Sequence, residues 1–240
     1  MTSRNMVNYV IGFFVSLLVI LTILVIAIEL VTFDQNFYLQ QYKRLNTAQK
    51  IGMSDEDLMR VTKQLTDYIR GRWKSLESIT AEIKGIDRQV FNEREITHML
   101  DVKGLFQLAA RLRNFALIGI VVLISVLYFN SNKKPWSFFA VSYLIAAGLL
   151  LLVLITSIVI IRSNFTYYWD QFHYLFFDND LWMLNPETDI MIQMVPEPFF
   201  YQAVLRVFSY FGTGLVIIGL VSFCILKRQK NMRQKLIRRS

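Results

Sequence analysis

At 240 residues, with 54% hydrophobic side chains and a mean hydropathy of +0.39, the chain is too apolar for an ordinary soluble domain. Its net charge of +8 raises nucleic acid as a partner, but the cations flank apolar runs as topology determinants do, which argues for anionic lipid and against nucleic acid. A single cysteine, Cys224, excludes an internal disulfide framework and reads as a small apolar filler.

Four apolar runs, roughly 7–30, 115–129, 136–161 and 203–226, are suited to cross a bilayer core. The first is too long for a signal-peptide core and lacks a small-x-small cleavage site, so it is expected to stay as a span. The second is short and borrows length from 105–112, with Arg111 and Arg113 snorkelling to the interface. Arg4, Lys133, Lys134 and the tail Lys227, Arg228, Lys230, Arg233, Lys235, Arg238 and Arg239 all fall on one side of a four-span arrangement. Short basic loops stay cytoplasmic, so both termini are expected inside, with segments 31–114 and 162–202 outside. The expected fold class is an all-α membrane protein: four transmembrane helices with a helical extracytoplasmic cap, residues 1–240 forming a single membrane domain at the cell membrane.

Within segment 31–114, Ser54 is placed to cap a helix whose first turn holds Asp55, Glu56 and Asp57. Leu58, Val61, Leu65, Tyr68 and Ile69 follow at helical spacing as one buried stripe, and Gly71 ends the helix. A further helix is expected over Leu76–Lys84 before Gly85. No strand alternation is long enough to trust. Asn92 and Glu95 then form a second capping box, opening a helix whose buried stripe is Ile96, Met99, Leu100, Leu105 and Leu108.

On that helix Glu95, His98 and Asp101 stand at i, i+3 and i+6, so His98 can meet a carboxylate on either neighbouring turn. Such a partner fixes the tautomer and leaves the other nitrogen free to move a proton, although the same spacing also describes a surface ion pair. The other histidine, His173, lies in an aromatic-crowded stretch from Asn164 to Trp182 that includes Tyr168, Trp169, Phe172 and Phe176. Rings of this type settle where acyl chain meets headgroup. Asp178 completes a His-x4-Asp spacing found in glycerolipid acyltransferases, without the rest of that signature. Both histidines are expected outside, each within one short element of a span, so they can meet. There is no Gly-x-Ser-x-Gly elbow, no His-Glu-x-x-His, no P-loop and no glycine-rich dinucleotide turn. Imidazole acid–base chemistry on a lipid-borne substrate remains, ranked above a metal site because no two histidines are close in sequence.

Glu93-Arg94-Glu95-Ile-Thr-His98-Met-Leu-Asp101-Val, Phe172-His173-x-x-x-Phe177, Trp182, Asn185-Pro186 and Pro196-x-x-Phe199-Phe200, on four spans in this order, resemble the lipoprotein intramolecular transacylase family of Gram-positive bacteria. The resemblance implies an acyltransferase that moves the sn-2 acyl chain of a diacylglyceryl-modified lipoprotein onto the α-amino group of the same cysteine, giving the lyso form. It implies His98 and His173 as the catalytic pair, with diacylglyceryl lipoproteins and membrane lipid as partners and no cofactor. By spacing, Asp101 or Glu95 would orient His98, while Tyr168, Trp169, Phe172, Phe176, Asp178 and Trp182 would receive the substrate. Two other classes stay open: a non-catalytic membrane sensor or assembly subunit, and a lipid acyltransferase or hydrolase acting between separate molecules.

Overall fold

The computed structural model describes residues 3–132 and 134–237. Lys133, Arg238 and Arg239, assigned above to the cytoplasmic side, lie outside the described residues. In chain order the elements are α1 (Ser3–Thr32), α2 (Gln35–Leu45), α3 (Thr47–Ile51), α4 (Asp55–Ile69), β1 (Thr80–Ile83), β2 (Ile86–Gln89), α5 (Glu93–Asn130), α6 (Pro135–Ser163), α7 (Phe165–Phe176), α8 (Ile190–Met194) and α9 (Glu197–Ile237). By length and composition α1, α5, α6 and α9 can each cross a membrane. The short second run is part of one helix of 38 residues, so its length is made up as expected. The first turns of α5 carry Glu93, Arg94, Glu95, His98, Asp101 and Lys103, too many charges for hydrocarbon, so its crossing segment starts after them.

The contacts group into two compact units. The first comprises 1–27, 111–160 and 207–240. Its core joins Val15, Phe139, Tyr143, Ala147, Phe211 and Leu215, and the Tyr143 hydroxyl donates to the Leu215 carbonyl at 3.1 Å. Helices approach closely at Gly12, where an added Cβ would lie 2.9 Å from the Phe138 carbonyl oxygen. Small residues permit such contacts where lipid, as apolar as leucine, provides no hydrophobic drive between helices. Leu149, Leu152, Ile155 and Val159 of α6 are all exposed, an apolar face suited to acyl chains.

The second unit comprises 28–110 and 161–206. Here the helix over Asp55–Ile69 forms as read: Ser54 Oγ accepts the Asp57 N–H at 3.0 Å, the five stripe residues are buried, and Gly71 follows with φ +77°. The helix expected over Leu76–Lys84 is instead an antiparallel hairpin, so the fold is mostly rather than wholly α-helical. Ile79, Ala81 and Ile83 alternate inward, and β-branched side chains sit better on a pleat than in a helix. Lys84 and Gly85 both hold positive φ, +54° and +81°, which a two-residue hairpin turn of the primed kind requires. The stripe expected on α5 also moves: Met99 is buried, but Leu100 and Leu108 are exposed, and the buried face of its first turns carries Glu95 and His98.

Candidate active site

All the residues of the site belong to the second unit. The Asn92–Glu95 capping box sets the start of α5: Asn92 Oδ1 accepts the Glu95 N–H at 3.0 Å, and Glu95 Oε2 accepts the Asn92 N–H at 2.7 Å. The second Glu95 oxygen, Oε1, accepts the N–H of Met191 at 2.6 Å, fastening α5 to α8. Asp189 strengthens the same joint, accepting from Asn92 Nδ2 and Thr188 Oγ1 at 2.9 Å and from the Asn185 N–H at 2.8 Å. Glu95 and Asp189 are 1% and 6% exposed, and both carboxyls are taken up by these hydrogen bonds, Glu95 with main-chain donors and Asp189 with one main-chain and two side-chain donors. Burial raises the Glu95 carboxyl above its ordinary value, opposed by the two N–H donors.

With α5 so anchored, His98 faces inward and lies 8% exposed. On α7, Asn164 Oδ1 accepts the Tyr167 N–H, and Phe165, Trp169, Phe172 and His173 line one face at helical spacing. His173 is 7% exposed. The two imidazole centroids stand 6.3 Å apart with planes inclined by 38°. Even after both ring radii are subtracted, that exceeds the ~2.7–3.2 Å of a direct nitrogen hydrogen bond, so the two imidazoles are not bonded to each other.

Aromatic rings wall the pair. Trp182 stacks on His173 at 4.5 Å, Trp169 meets it edge-on at 4.7 Å, and Phe177 contacts both imidazoles, at 5.2 Å from His98 and 5.8 Å from His173. Burial among these rings pushes both histidines below their ordinary range. His98 falls to about 4, with the neighbouring His173 adding to the effect and Asp101 opposing it. His173 is lowered as well, against the opposing influence of the Trp169 carbonyl and Asp170. Both imidazoles are therefore neutral near pH 7.

His173 Nδ1 lies 2.8 Å from the carbonyl oxygen of Trp169. A carbonyl only accepts, so Nδ1 carries the proton and Nε2 presents a lone pair. The orienting partner of His173 is thus main chain rather than Asp178, which is exposed. His98 Nδ1 is buried without a hydrogen-bond partner, so neither Glu95 nor Asp101 holds it there. Asp101 accepts instead from Asn179 Nδ2 at 2.9 Å and acts on His98 through its charge.

Of the other expected residues, Trp169, Phe172 and Trp182 come together around His173. Phe176 packs on Phe172 at 4.9 Å with nearly half its surface open, and Tyr168 pairs with Tyr167, away from the imidazoles. Asp189 is not marked by any motif in the sequence, its one signal being its place three residues after the Asn185-Pro186 pair, and Arg94, inside the Glu93-Arg94-Glu95 motif, carries no expected role there. Among the described residues no group of three or more His, Cys, Asp or Glu side chains converges as a metal site requires.

A family model describing the lipoprotein intramolecular transacylase Lit matches residues 13–200. The chain belongs to this family. It is accordingly an acyltransferase, a transacylase of lipoproteins. Its fold is similar to that of the membrane-integral Lit of Bacillus cereus, with a TM-score of 0.73 at 20% identity over 93% of this chain and 98% of that one. Two further structures of the Bacillus cereus protein, with a histidine replaced by arginine or by alanine, each match with a TM-score of 0.68 at 20% identity. They cover 94% and 93% of this chain, and 95% and 96% of theirs. No curated protein matches the chain in sequence.

Proposed function

We propose that the chain transfers the sn-2 acyl group of a diacylglyceryl-cysteine lipoprotein to the α-amino group of the same cysteine, using His98 and His173 on the outer face of the membrane. One observation carries the reading: two histidines far apart in sequence meet at 6.3 Å in a buried aromatic setting. The orientation rests on the basic residues flanking the spans, a pattern that supports both termini in the cytoplasm and the histidines outside.

The free amine attacks the ester carbonyl, forming the C–N bond, and the glyceryl C–O bond then breaks. One proton must pass from nitrogen to the departing oxygen. His173 Nε2, its lone pair exposed because Nδ1–H is tied to the Trp169 carbonyl, takes that proton from the amine. His98 gives its own ring proton to the leaving oxygen, and the proton held by His173 then passes to His98 through the product hydroxyl, restoring two neutral rings. An α-amino group with a pKa of ~7.7–8.0 needs no strong base, and two neutral imidazoles suffice. Aminolysis of an ester to an amide runs downhill, so the reaction needs no activated donor. Holding amine and ester of one headgroup together supplies an effective molarity that separate molecules lack. The exposed Phe172, Leu175 and Phe176 of α7 offer the acyl chains an apolar path to the histidines.

The test uses full-length protein in liposomes and a synthetic diacylglyceryl lipopeptide, with products resolved by mass spectrometry. His98→Ala and His173→Ala should each abolish the lyso form while the wild type keeps the acyl count constant. Full activity in either variant defeats the assignment, and release of free fatty acid by the wild type would make the protein a hydrolase.

A further inference from the structure

Seven buried side-chain polar atoms among the described residues lack a hydrogen-bond partner, and three of them are nitrogens: Arg94 Nε, His98 Nδ1 and Trp182 Nε1. All three belong to the site. Trp182 lies flat on His173 at 4.5 Å. Arg94 stands one helical turn before His98 on the same face of α5. The two are joined, because the Arg94 guanidinium donates to the Asp180 main-chain oxygen and lies 3.6 Å from its carboxylate, two residues before Trp182.

An indole N–H and a guanidinium Nε–H can only donate. Leaving such a donor buried and unmet costs about 1–3 kcal/mol, and folded proteins seldom tolerate it without a use. Two donors, one reaching the site from α5 and one from the loop stacked on His173, call for an acceptor oxygen that arrives with the substrate. In the proposed transacylation the amine and the leaving oxygen face the two histidines, and the oxygen that gains negative charge without a proton from either is the ester carbonyl oxygen.

We propose that Trp182 Nε1–H and Arg94 Nε–H donate to the carbonyl oxygen of the migrating acyl group and stabilise the oxyanion formed when the amine attacks. The inference rests on the reading of His98 and His173 as the proton-handling pair. It assigns Trp182 a part in the chemistry beyond lining the acyl path. The donors are fixed before substrate binds: Trp182 by its stack on His173, and Arg94 by Asp180. Preorganised donors of this kind lower a barrier without reorganising during reaction.

The experiment compares Trp182→Phe and Arg94→Lys with wild type in liposomes, on the diacylglyceryl lipopeptide and on its sn-2 thionoester analogue. Trp182→Phe keeps an aromatic ring on His173 and removes only the N–H; Arg94→Lys keeps the charge and removes Nε–H. Removing an oxyanion donor lowers kcat by about 10²–10³-fold where it has been measured, so each variant should lose ~10-fold or more in kcat with little change in KM. A thionoester places sulfur, a poorer acceptor, where the oxyanion forms. Wild type should therefore prefer the oxygen ester strongly, and the preference should collapse in both variants. Thermal unfolding midpoints report whether either variant is misfolded. Wild-type kcat in the variants, or a loss of kcat with the ester preference intact, overturns the proposal. An active His98→Ala or His173→Ala sinks the parent reading instead, so the two failures are distinguishable.

Discussion

Replacing Glu95 by alanine probes the joint that sets the geometry of the site. In the folded protein the Glu95 carboxyl accepts the N–H groups of Asn92 and Met191 at 2.7 and 2.6 Å, and it is 1% exposed. Alanine leaves both donors without an acceptor, that of Met191 buried and that of Asn92 part-buried. Each orphaned donor costs about 1–3 kcal/mol where it is buried, which puts the pair at about 2–6 kcal/mol, nearer the lower end because Asn92 as a whole residue is exposed. For a chain of this length that corresponds to a fall in Tm of about 5–20 °C. Glutamine keeps the volume and one carbonyl acceptor, so Glu95→Gln should lose roughly half as much. The assay is thermal unfolding in detergent, followed by lyso-lipopeptide formation at a temperature where every variant is folded. Activity should fall alongside stability, because α5 carries His98 and α8 is the element to which it is fastened. A Glu95→Ala protein within about 2 °C of wild type would refute the reasoning, since the buried hydrogen bond to Met191 cannot be removed at no cost.

The remaining expectations follow from the same geometry. Below the substrate amine pKa of ~8, log kcat/KM should rise with pH at a slope of one through pH 6.5; a slope of two there would mean that an imidazole titrates in its ordinary range, against the depressed values of both histidines. The same depressions make folding stability fall as pH drops below about 6.5 toward 4, because the unfolded chain binds protons that the folded His98 refuses; denaturant titrations at pH 7 and 5 should show the loss. Asp189→Ala strips the acceptor from Asn92, Thr188 and Asn185, and should destabilise by about 1–3 kcal/mol or more and loosen the loop that carries Trp182, read as protease sensitivity of 178–190. Gly52→Ala forces a side chain onto φ +78° and brings its Cβ to 2.6 Å from Lys84 Cγ, so a loss of at least about 1 kcal/mol is expected in chemical denaturation.

The main elements were legible because their signals are local. An apolar run of twenty residues finds no favourable solvent in water, and a Ser or Asn followed three residues later by a carboxylate satisfies a helix start from within a few residues. The Ser54 cap, the Asn92–Glu95 capping box and the Leu58–Ile69 stripe hold in the structure for that reason, whereas the Asp57 carboxylate turns to Arg60 instead of closing a box on Ser54. The hairpin at Thr80–Gln89 was missed because Ile79, Ala81 and Ile83 alternate over too short a stretch to outweigh a helical reading. What favours the strand is burial of those three residues and the positive φ at Lys84 and Gly85, and neither is visible in a single short window.

The site divides along the same line. That histidine chemistry was the resource available could be read from the chain itself, which has two histidines and none of the common catalytic motifs. Which groups attend them could not. Spacing along α5 offered Glu95 as the partner of His98, whereas the folded carboxyl reaches back to Asn92 and across to Met191. His173 takes its proton acceptor from a main-chain carbonyl, a group every residue has and no motif records. A sequence determines which side chains are present and which local hydrogen bonds they can close. The pairing of buried donors and acceptors across distant segments is decided only when tertiary packing excludes water and each polar group must find its partner inside the fold.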